Sequence, residues 1–181
     1  MVARRRARIR LRPISLKDEA EFLRAVRRSR RLHRPWVYPP ATKARFRRYV
    51  KTQRRPTRIS YSVRAATGEL VGLINISEIV RGAFHSGYLG YYAFAPYQRR
   101  GFMLAGLSAA IARVFRDHGL HRLEANIQPK NRESIALVKR LGFRREGFSP
   151  RYLKIGGRWR DHERWAVTVE DWKQARPRRS T

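Results

Sequence analysis

The fold is decided by residues 91–115, which read YYAFAPYQRRGFMLAGLSAAIARVF. The first four residues predict a strand, residues 96–100 predict a loop, and the apolar residues after Gly101 recur at helical spacing. A helix that begins after such a loop presents unpaired backbone N–H groups and the positive end of its dipole, which together form an anion site. Arg99 and Arg100 add positive charge, and Gly101 lets a phosphate approach the backbone closely.

The rest of the chain alternates between strand and helix patterns on both sides of this stretch. Helices are predicted from near Leu16, over Thr42–Gln53, over Gly101–His118 and, after the N-cap Asn131, over Arg132–Leu141. Strands are predicted over 8–14, Ile59–Ala65, Leu70–Ile79, Ser86–Phe94, 122–127, Arg151–Ile155 and Glu163–Val169. This order predicts a mixed α/β (α+β) fold with a largely antiparallel central sheet flanked by helices.

The domain organisation is expected to be simple. Residues 1–175 are predicted to form a single domain, and residues 176–181 a basic, disordered tail. Residues 36–57, which contain the second predicted helix, are interpreted as too basic to belong to the core.

Composition excludes several functional classes. The 181 residues contain no cysteine, which excludes a disulfide scaffold, a thiolate metal site and a cysteine nucleophile. Five histidines without an HExxH pairing predict no zinc site, so no metal is expected. No apolar run approaches the roughly 20 residues of a membrane span. The basic N-terminal sequence leads into no apolar signal core, so a cytoplasmic location is expected.

The charge is strongly positive and uneven. Lysine and arginine number 43 against 13 acidic residues, a formal charge of +30, and the first third holds only the acids Asp18, Glu19 and Glu21. One interpretation is an arginine-rich coding bias with solvated faces. The other is attraction to a polyanion such as RNA, or to an acidic protein surface.

The loop at residues 98–103 resembles the acetyl-CoA-binding motif of the GNAT acyltransferases, Q/R-x-x-G-x-G/A. The matching residues are Gln98, Arg99, Arg100, Gly101, Phe102 and Met103, of which Met103 departs from the small residue of the pattern. The resemblance implies a GNAT-like fold with acetyl-CoA as co-substrate. It implies that the loop amides hold the pyrophosphate and that the strand backbone at Tyr92, Ala93 and Phe94 pairs with the pantetheine arm.

A second set of motifs narrows the resemblance to the RimJ/RimL-like branch. Asn131-Arg132-Glu133-Ser134, Leu141-Gly142-Phe143 and Glu146-Gly147 follow its N-x-x-S, L-G-F and E-G pattern, and the likeness spans roughly residues 8–172. That branch acetylates ribosomal proteins at their amino termini. The implied acceptor is therefore a protein N-terminal α-amine, with alanine of a small-subunit ribosomal protein as the expected target and no membrane partner. Ribosomal RNA contact is expected through the basic surface.

The resemblance also suggests catalytic residues. Glu124 is the first candidate for the base, with Glu78 and His85 as weaker alternatives. Ser134 is the candidate acid at the CoA sulfur, because Val138 stands where many GNAT enzymes carry a tyrosine. Asn131 is expected both to cap its helix and to touch the cofactor.

Two further differences from the family limit which catalytic residues the resemblance can imply. RimL enzymes place a glutamate base where this chain has Leu153, and many relatives carry a glutamate where Ala105 stands. Two other functions therefore stay open: acetylation of a small-molecule amine, and a non-enzymatic ribosome- or RNA-binding module on an acyl-CoA-binding fold. The positive charge argues against a polyamine acceptor.

Overall fold

The computed structural model describes residues 7–175, and the predicted tail at 176–181 lies outside them. Seven strands form one sheet in the order β1-β2-β3-β4-β5-β7-β6. The strands are β1 Ile9–Pro13, β2 Ile59–Ala65, β3 Leu70–Val80, β4 Ser86–Ala93, β5 Arg122–Ile127, β6 Arg144–Ile155 and β7 Arg158–Thr168. The helices are α1 Glu19–Arg28, α2 Arg30–His33, α3 Lys43–Thr52, α4 Phe102–Asp117, α5 Arg132–Arg140 and α6 Val169–Gln174, with a 3-10 turn at Leu16–Asp18.

One pair of neighbouring strands departs from the antiparallel pattern. β4 and β5 run parallel and pair at only three positions, which end at Tyr88 opposite Glu124. β4 continues to Ala93 and β5 to Ile127, so the two strands part beyond this last rung. The mixed fold and largely antiparallel sheet predicted from the sequence are confirmed, and the parted strands leave a gap in the middle of the sheet.

The sheet has a different core on each face. On the α4 face, helices α4 and α5 pack on a large apolar cluster that includes Val63, Ile74, Leu107, Ile111 and Leu123. On the α3 face, helices α1 and α3 pack on a smaller, aromatic cluster that includes Phe22, Phe46, Val50, Tyr92 and Phe94. Side chains alternate between faces along β4, so Tyr88 and Gly90 lie on the α3 face with Tyr92, and Leu89 and Tyr91 lie on the α4 face.

The interpretation of residues 36–57 as too basic for the core is wrong. Phe46 is fully buried and Val50 is 5% exposed, while Arg45, Arg47 and Arg48 on the same helix are exposed. A helix with two well-spaced apolar residues buries one stripe and leaves its cations outside, whatever its mean charge.

The last two strands are longer than predicted. β6 begins at Arg144 instead of Arg151, because Pro150 and Arg151 lie at an irregularity between Ser149 and Leu153 and do not end the strand. The short helix α6 was not predicted. Within residues 7–175 no helix is both long and apolar enough to cross a membrane.

Candidate active site

The loop before α4 has the geometry of an anion site. Gly101 is the N-cap residue and has φ +82°, and Arg99 has φ +60°. Within residues 7–175, a Cβ at Gly101 would meet only Ala7 within 4 Å, so the described chain leaves the backbone open at this point. Among residues 7–175, the amides of 98–104 have no main-chain acceptor, and the first hydrogen bond of the turn runs from the Ala105 amide to the Gly101 carbonyl. The amides and the dipole of α4 are thus directed at one place.

The two arginines of the loop are held differently. Arg99 pairs with Glu133 in the first turn of α5, with 2.7 Å between nitrogen and oxygen, and both side chains are exposed. Arg100 lies 5.9 Å from the ring centre of Tyr97 and 5.5 Å from that of Phe102. The Arg99 ion pair brings the two sequence motifs, residues 98–103 and 131–134, next to each other.

Met103 is accommodated by a glycine on a distant strand. A Cβ at Gly72 would lie 2.3 Å from the Met103 sulfur and 3.0 Å from the Tyr92 carbonyl oxygen. The long side chain of Met103 therefore occupies the space above Gly72 of β3. Met103, which stands where the motif has a small residue, is thus accommodated by Gly72 and leaves the loop itself unobstructed.

The strand before the loop is anchored by the α3 face. The imidazole Nε2 of His33 donates to the Ala93 carbonyl at 2.8 Å, and the Ser29 hydroxyl accepts from the Ala95 amide at 2.9 Å. The guanidinium of Arg28 donates to the Ala95 carbonyl at 2.6 Å. These three residues were not singled out from the sequence, because nothing local links residues 28–33 to residues 93–95.

The predicted pantetheine strand is only partly available to a ligand in the gap. The Phe94 amide donates to the Val71 carbonyl of β3 at 2.8 Å, so it points away from the gap. Because main-chain groups alternate along a strand, Ala93 and Tyr91 direct theirs toward the gap, and the Ala93 carbonyl is already bonded to His33. Within Tyr92, Ala93 and Phe94, the Ala93 amide is the group best placed for such a ligand.

Ser134 lies beside the gap and has a partner that the sequence did not reveal. Its hydroxyl is 2.6 Å from the phenol oxygen of Tyr91, and the same phenol oxygen is 3.2 Å from the Ser134 carbonyl oxygen. Burial raises the pKa of Tyr91 to about 12, so its phenol stays protonated. Asn131 caps α5 by accepting from the Ser134 amide at 3.2 Å, as predicted. Val138 is fully buried, so that turn of α5 has no polar group for the gap.

Glu124 stands at the last rung before the strands part, opposite Tyr88 on the α3 face. Its carboxylate accepts from the Arg122 guanidinium at 2.9 Å, and Arg122 also pairs with Glu146. The Tyr88 phenol is 3.5 Å from that of Tyr152, and this contact, burial and the charge of Glu124 raise the pKa of Tyr88 to about 12. Glu124 is thus an ion-paired carboxylate at the end of the gap where β4 and β5 are still paired.

The weaker base candidates lie elsewhere. Glu78 is exposed and pairs with Arg58 at 2.7 Å, and His85 precedes β4 with its ring near the Gly119 carbonyl. Both are near the closed end of the β4–β5 pair, whereas Ser134 lies beside the open end.

The α3 face of the gap is partly covered. The ring of Tyr38 packs directly on the β6–β7 turn, where a Cβ at Gly156 would come within 2.7 Å of it. The loop between α2 and α3 and the β6–β7 hairpin therefore meet, and an acceptor reaching the gap from this face has to pass beside them.

Comparison with known proteins finds related acetyltransferases. An acetyltransferase (GNAT) domain matches residues 8–144. The ribosomal protein uS5-alanine N-acetyltransferase of Escherichia coli (strain K12) is 44% identical over 108 residues, which cover 60% of this chain and 56% of that relative. The match thus spans little more than half of the relative's length.

Two solved structures are similar over most of the chain. RimJ of Mycobacterium smegmatis in complex with CoA-disulfide has a TM-score of 0.84 at 28% identity, covering 90% of this chain and 83% of that one. The ribosomal-protein-S5-alanine acetyltransferase from Vibrio fischeri has a TM-score of 0.80 at 26% identity, covering 93% and 96%. With a domain match over most of its length and the same overall fold as these two structures, this chain belongs to the GNAT family of acetyltransferases.

Proposed function

We propose that this protein transfers the acetyl group of acetyl-CoA to the α-amine of a protein N-terminus, with the N-terminal alanine of a small-subunit ribosomal protein as acceptor. The observation that carries the proposal is the gap between β4 and β5, with unpaired loop amides at one side and the Ser134 hydroxyl at another. The named relatives that act on ribosomal protein S5 supply the acceptor class. A ribosomal acceptor implies a cytoplasmic reaction.

The residues at the loop fit a CoA pyrophosphate. The amides of 98–104 and the N-terminus of α4 would bind its oxygens, and Arg100 adds a cation beside them. Gly101 leaves the backbone accessible because it carries no side chain at φ +82°. When bound, acetyl-CoA supplies an activated thioester carbonyl.

Ser134 holds the proton for the sulfur that leaves. If the Tyr91 phenol donates to the Ser134 oxygen, the serine proton is free to point at the gap. If the phenol donates instead to the Ser134 carbonyl, the serine hydroxyl donates to Tyr91 and its proton is occupied. Tyr91 therefore controls the direction of the Ser134 proton.

The acceptor amine needs less catalytic assistance than the leaving sulfur, because little of its deprotonation depends on a general base. An α-amine has an ordinary pKa of about 7.7–8.0, so a fair fraction is neutral near pH 7. Glu124, an anionic carboxylate at the end of the gap where β4 and β5 are still paired, takes the remaining proton through water. Glu124→Gln is therefore expected to slow acetylation most at low pH, where the amine is charged. A pH–rate profile that shows a constant ratio to wild type would remove Glu124 from this role.

The test of the proposed function is direct acetylation. The purified chain is incubated with acetyl-CoA and a peptide beginning with alanine, and the product is located by mass spectrometry. An acetyl group on the α-amine, and none on a peptide with a blocked N-terminus, is the expected result. Faster acetylation of spermidine than of the peptide would favour a small-amine acceptor. No transfer to either, together with retained binding to ribosomes, would favour a non-enzymatic module.

A further inference from the structure

An open groove of about 420 Å³ lies between α3 and the sheet, on the α3 face. Its wall is a single stripe of α3 at helical spacing, Arg45, Arg48, Tyr49 and Thr52, and its floor includes Asn75 of β3 and Gly90 of β4. Tyr49 is fixed there, because its phenol donates to Asn75 and is 2.8 Å from the Ser60 hydroxyl. The groove wall is thus a rigid helix face that presents two arginines.

These two arginines differ from their neighbour. Arg45 and Arg48 make no ion pair within the described chain, whereas Arg47, on another side of the same helix, pairs with Glu19 at 2.7 Å. The third arginine of the groove, Arg58, pairs with Glu78, which does not line it. No carboxylate lines the groove, so it carries two guanidinium charges that nothing in residues 7–175 neutralises.

The groove leads to the gap. Gly90 lies two residues from Tyr88, whose partner at the last rung is Glu124, and one residue from Tyr91. A Cβ at Gly90 would meet no atom of the described chain within 4 Å, so residues 7–175 leave the space above it open. An extended chain advances about 3.3 Å per residue, so a chain whose terminal amine reaches the gap across Gly90 places its next few side chains beside α3.

We propose that this groove selects acceptor chains that carry Asp or Glu within the first few residues after the N-terminal residue. The inference rests on the proposed function and adds the substrate class to it. Guanidinium groups bind carboxylates through two parallel hydrogen bonds, which favours Asp and Glu over their amides. The same charges repel a cationic acceptor and steer an acidic one toward the gap.

The experiment compares two peptides that begin with alanine and differ only by Glu or Gln at the third and fourth positions. Two exposed ion pairs predict a kcat/KM about five- to tenfold higher for the Glu peptide, mostly through KM. Arg45→Gln/Arg48→Gln is expected to reduce this ratio to near one. Arg47→Gln removes a charge from the same helix outside the groove and is expected to keep the ratio. Melting curves confirm that each variant is folded.

Three results would overturn the proposal. The first is a Glu/Gln ratio that the double variant does not change. The second is an equal reduction by Arg47→Gln, which would mean a general effect of net charge. The third is a loss of binding to ribosomal RNA in the double variant with the peptide ratio intact, which would make the groove a nucleic-acid surface.

The proposal remains testable if acetylation itself fails. Fluorescence anisotropy with labelled Glu and Gln peptides measures binding without turnover. A preference for the Glu peptide that depends on Arg45 and Arg48 would support the groove even where the proposed function is wrong. Equal binding of the two peptides would overturn it.

Discussion

Two basic regions flank the gap in the sheet, and they present positive charge in different ways. At the loop before α4, the groups available to a ligand are backbone amides, while Arg99 is paired with Glu133 and Arg100 lies over two aromatic rings. Along α3, the groups available to a ligand are the side chains of Arg45 and Arg48, which have no ion-pair partner in the described chain. In a protein with a formal charge of +30, the number of basic residues in a region does not identify that region as a binding site. What distinguishes Arg45 and Arg48 is that they line a groove and have no ion-pair partner in the described chain.

The largest expected effect is at the backbone site. Gly101→Asp puts a side chain on a residue with φ +82° and a negative charge among the amides, and it should weaken acetyl-CoA binding by about a hundredfold or more. Isothermal titration calorimetry measures this. Gly119→Asp is the matched control, because Gly119 follows the other end of α4, has φ +62° and would place a Cβ within 4 Å of no atom in residues 7–175. Equal losses in the two variants would mean that backbone strain, and not the amide site, determines affinity.

The next effect concerns the hydroxyl pair. A positioned acid contributes about 10²–10⁴ in rate, so Ser134→Ala should lower kcat by about a hundredfold with little change in acetyl-CoA affinity. Tyr91→Phe should lower kcat about tenfold, because Ser134 keeps a proton but loses its orientation. If the two act together, the double variant is no slower than Ser134→Ala alone. Effects that multiply in steady-state kinetics would show that Tyr91 acts independently of Ser134.

A smaller effect tests how the loop tolerates Met103. Gly72→Ala places a methyl group on the Met103 sulfur and close to the Tyr92 carbonyl, and overpacking of this kind costs about 1–3 kcal/mol of unfolding free energy. Met103→Ala removes the larger obstacle, so the double variant should regain part of that loss. Urea denaturation measures both. If Met103→Ala gives no recovery, the backbone contact at Tyr92 sets the cost.

The smallest effect is a pH dependence of stability. Burial lowers the pKa of His33 below its ordinary value of 6.5, so below that pH the unfolded chain binds more protons than the folded one. Stability is therefore expected to fall as pH drops through 6.5. The buried Nδ1 of His33, where the added proton would lie, has no hydrogen-bond partner among the described residues. His33→Gln should flatten this fall in melting temperature. The part due to His162, whose pKa burial also lowers, should remain.

The contrast between the two basic regions also explains what the sequence predicted well. The loop, α4 and the Asn131 cap are local features: a helix period, a positive-φ glycine and a capping side chain three residues from its amide. Each involves neighbours in the chain, so periodicity and turn chemistry predict it. Their assignment as cofactor and catalytic residues came from motif resemblance and stays a prediction.

The features that were missed join distant residues. The Tyr91 phenol reaches Ser134 across 43 positions, and His33 reaches Ala93 across 60. Helix α3 was mistaken for a surface element because its mean charge hides the two buried residues Phe46 and Val50. Composition averages over a helix, whereas burial depends on which side each residue occupies.

β4 and β5 pair at only three positions, and this short pairing also divides the sheet into a four-strand part and a three-strand part. Along this seam, few hydrogen bonds resist local opening, so amide exchange should be fastest where the strands have already parted. A ligand lying in the gap takes the place of the missing rungs and couples the two parts. At a concentration one hundred times its Kd, such a ligand adds about 2.7 kcal/mol to the stability of the folded chain. The free energy of unfolding of the chain is therefore expected to depend on the concentration of such a ligand.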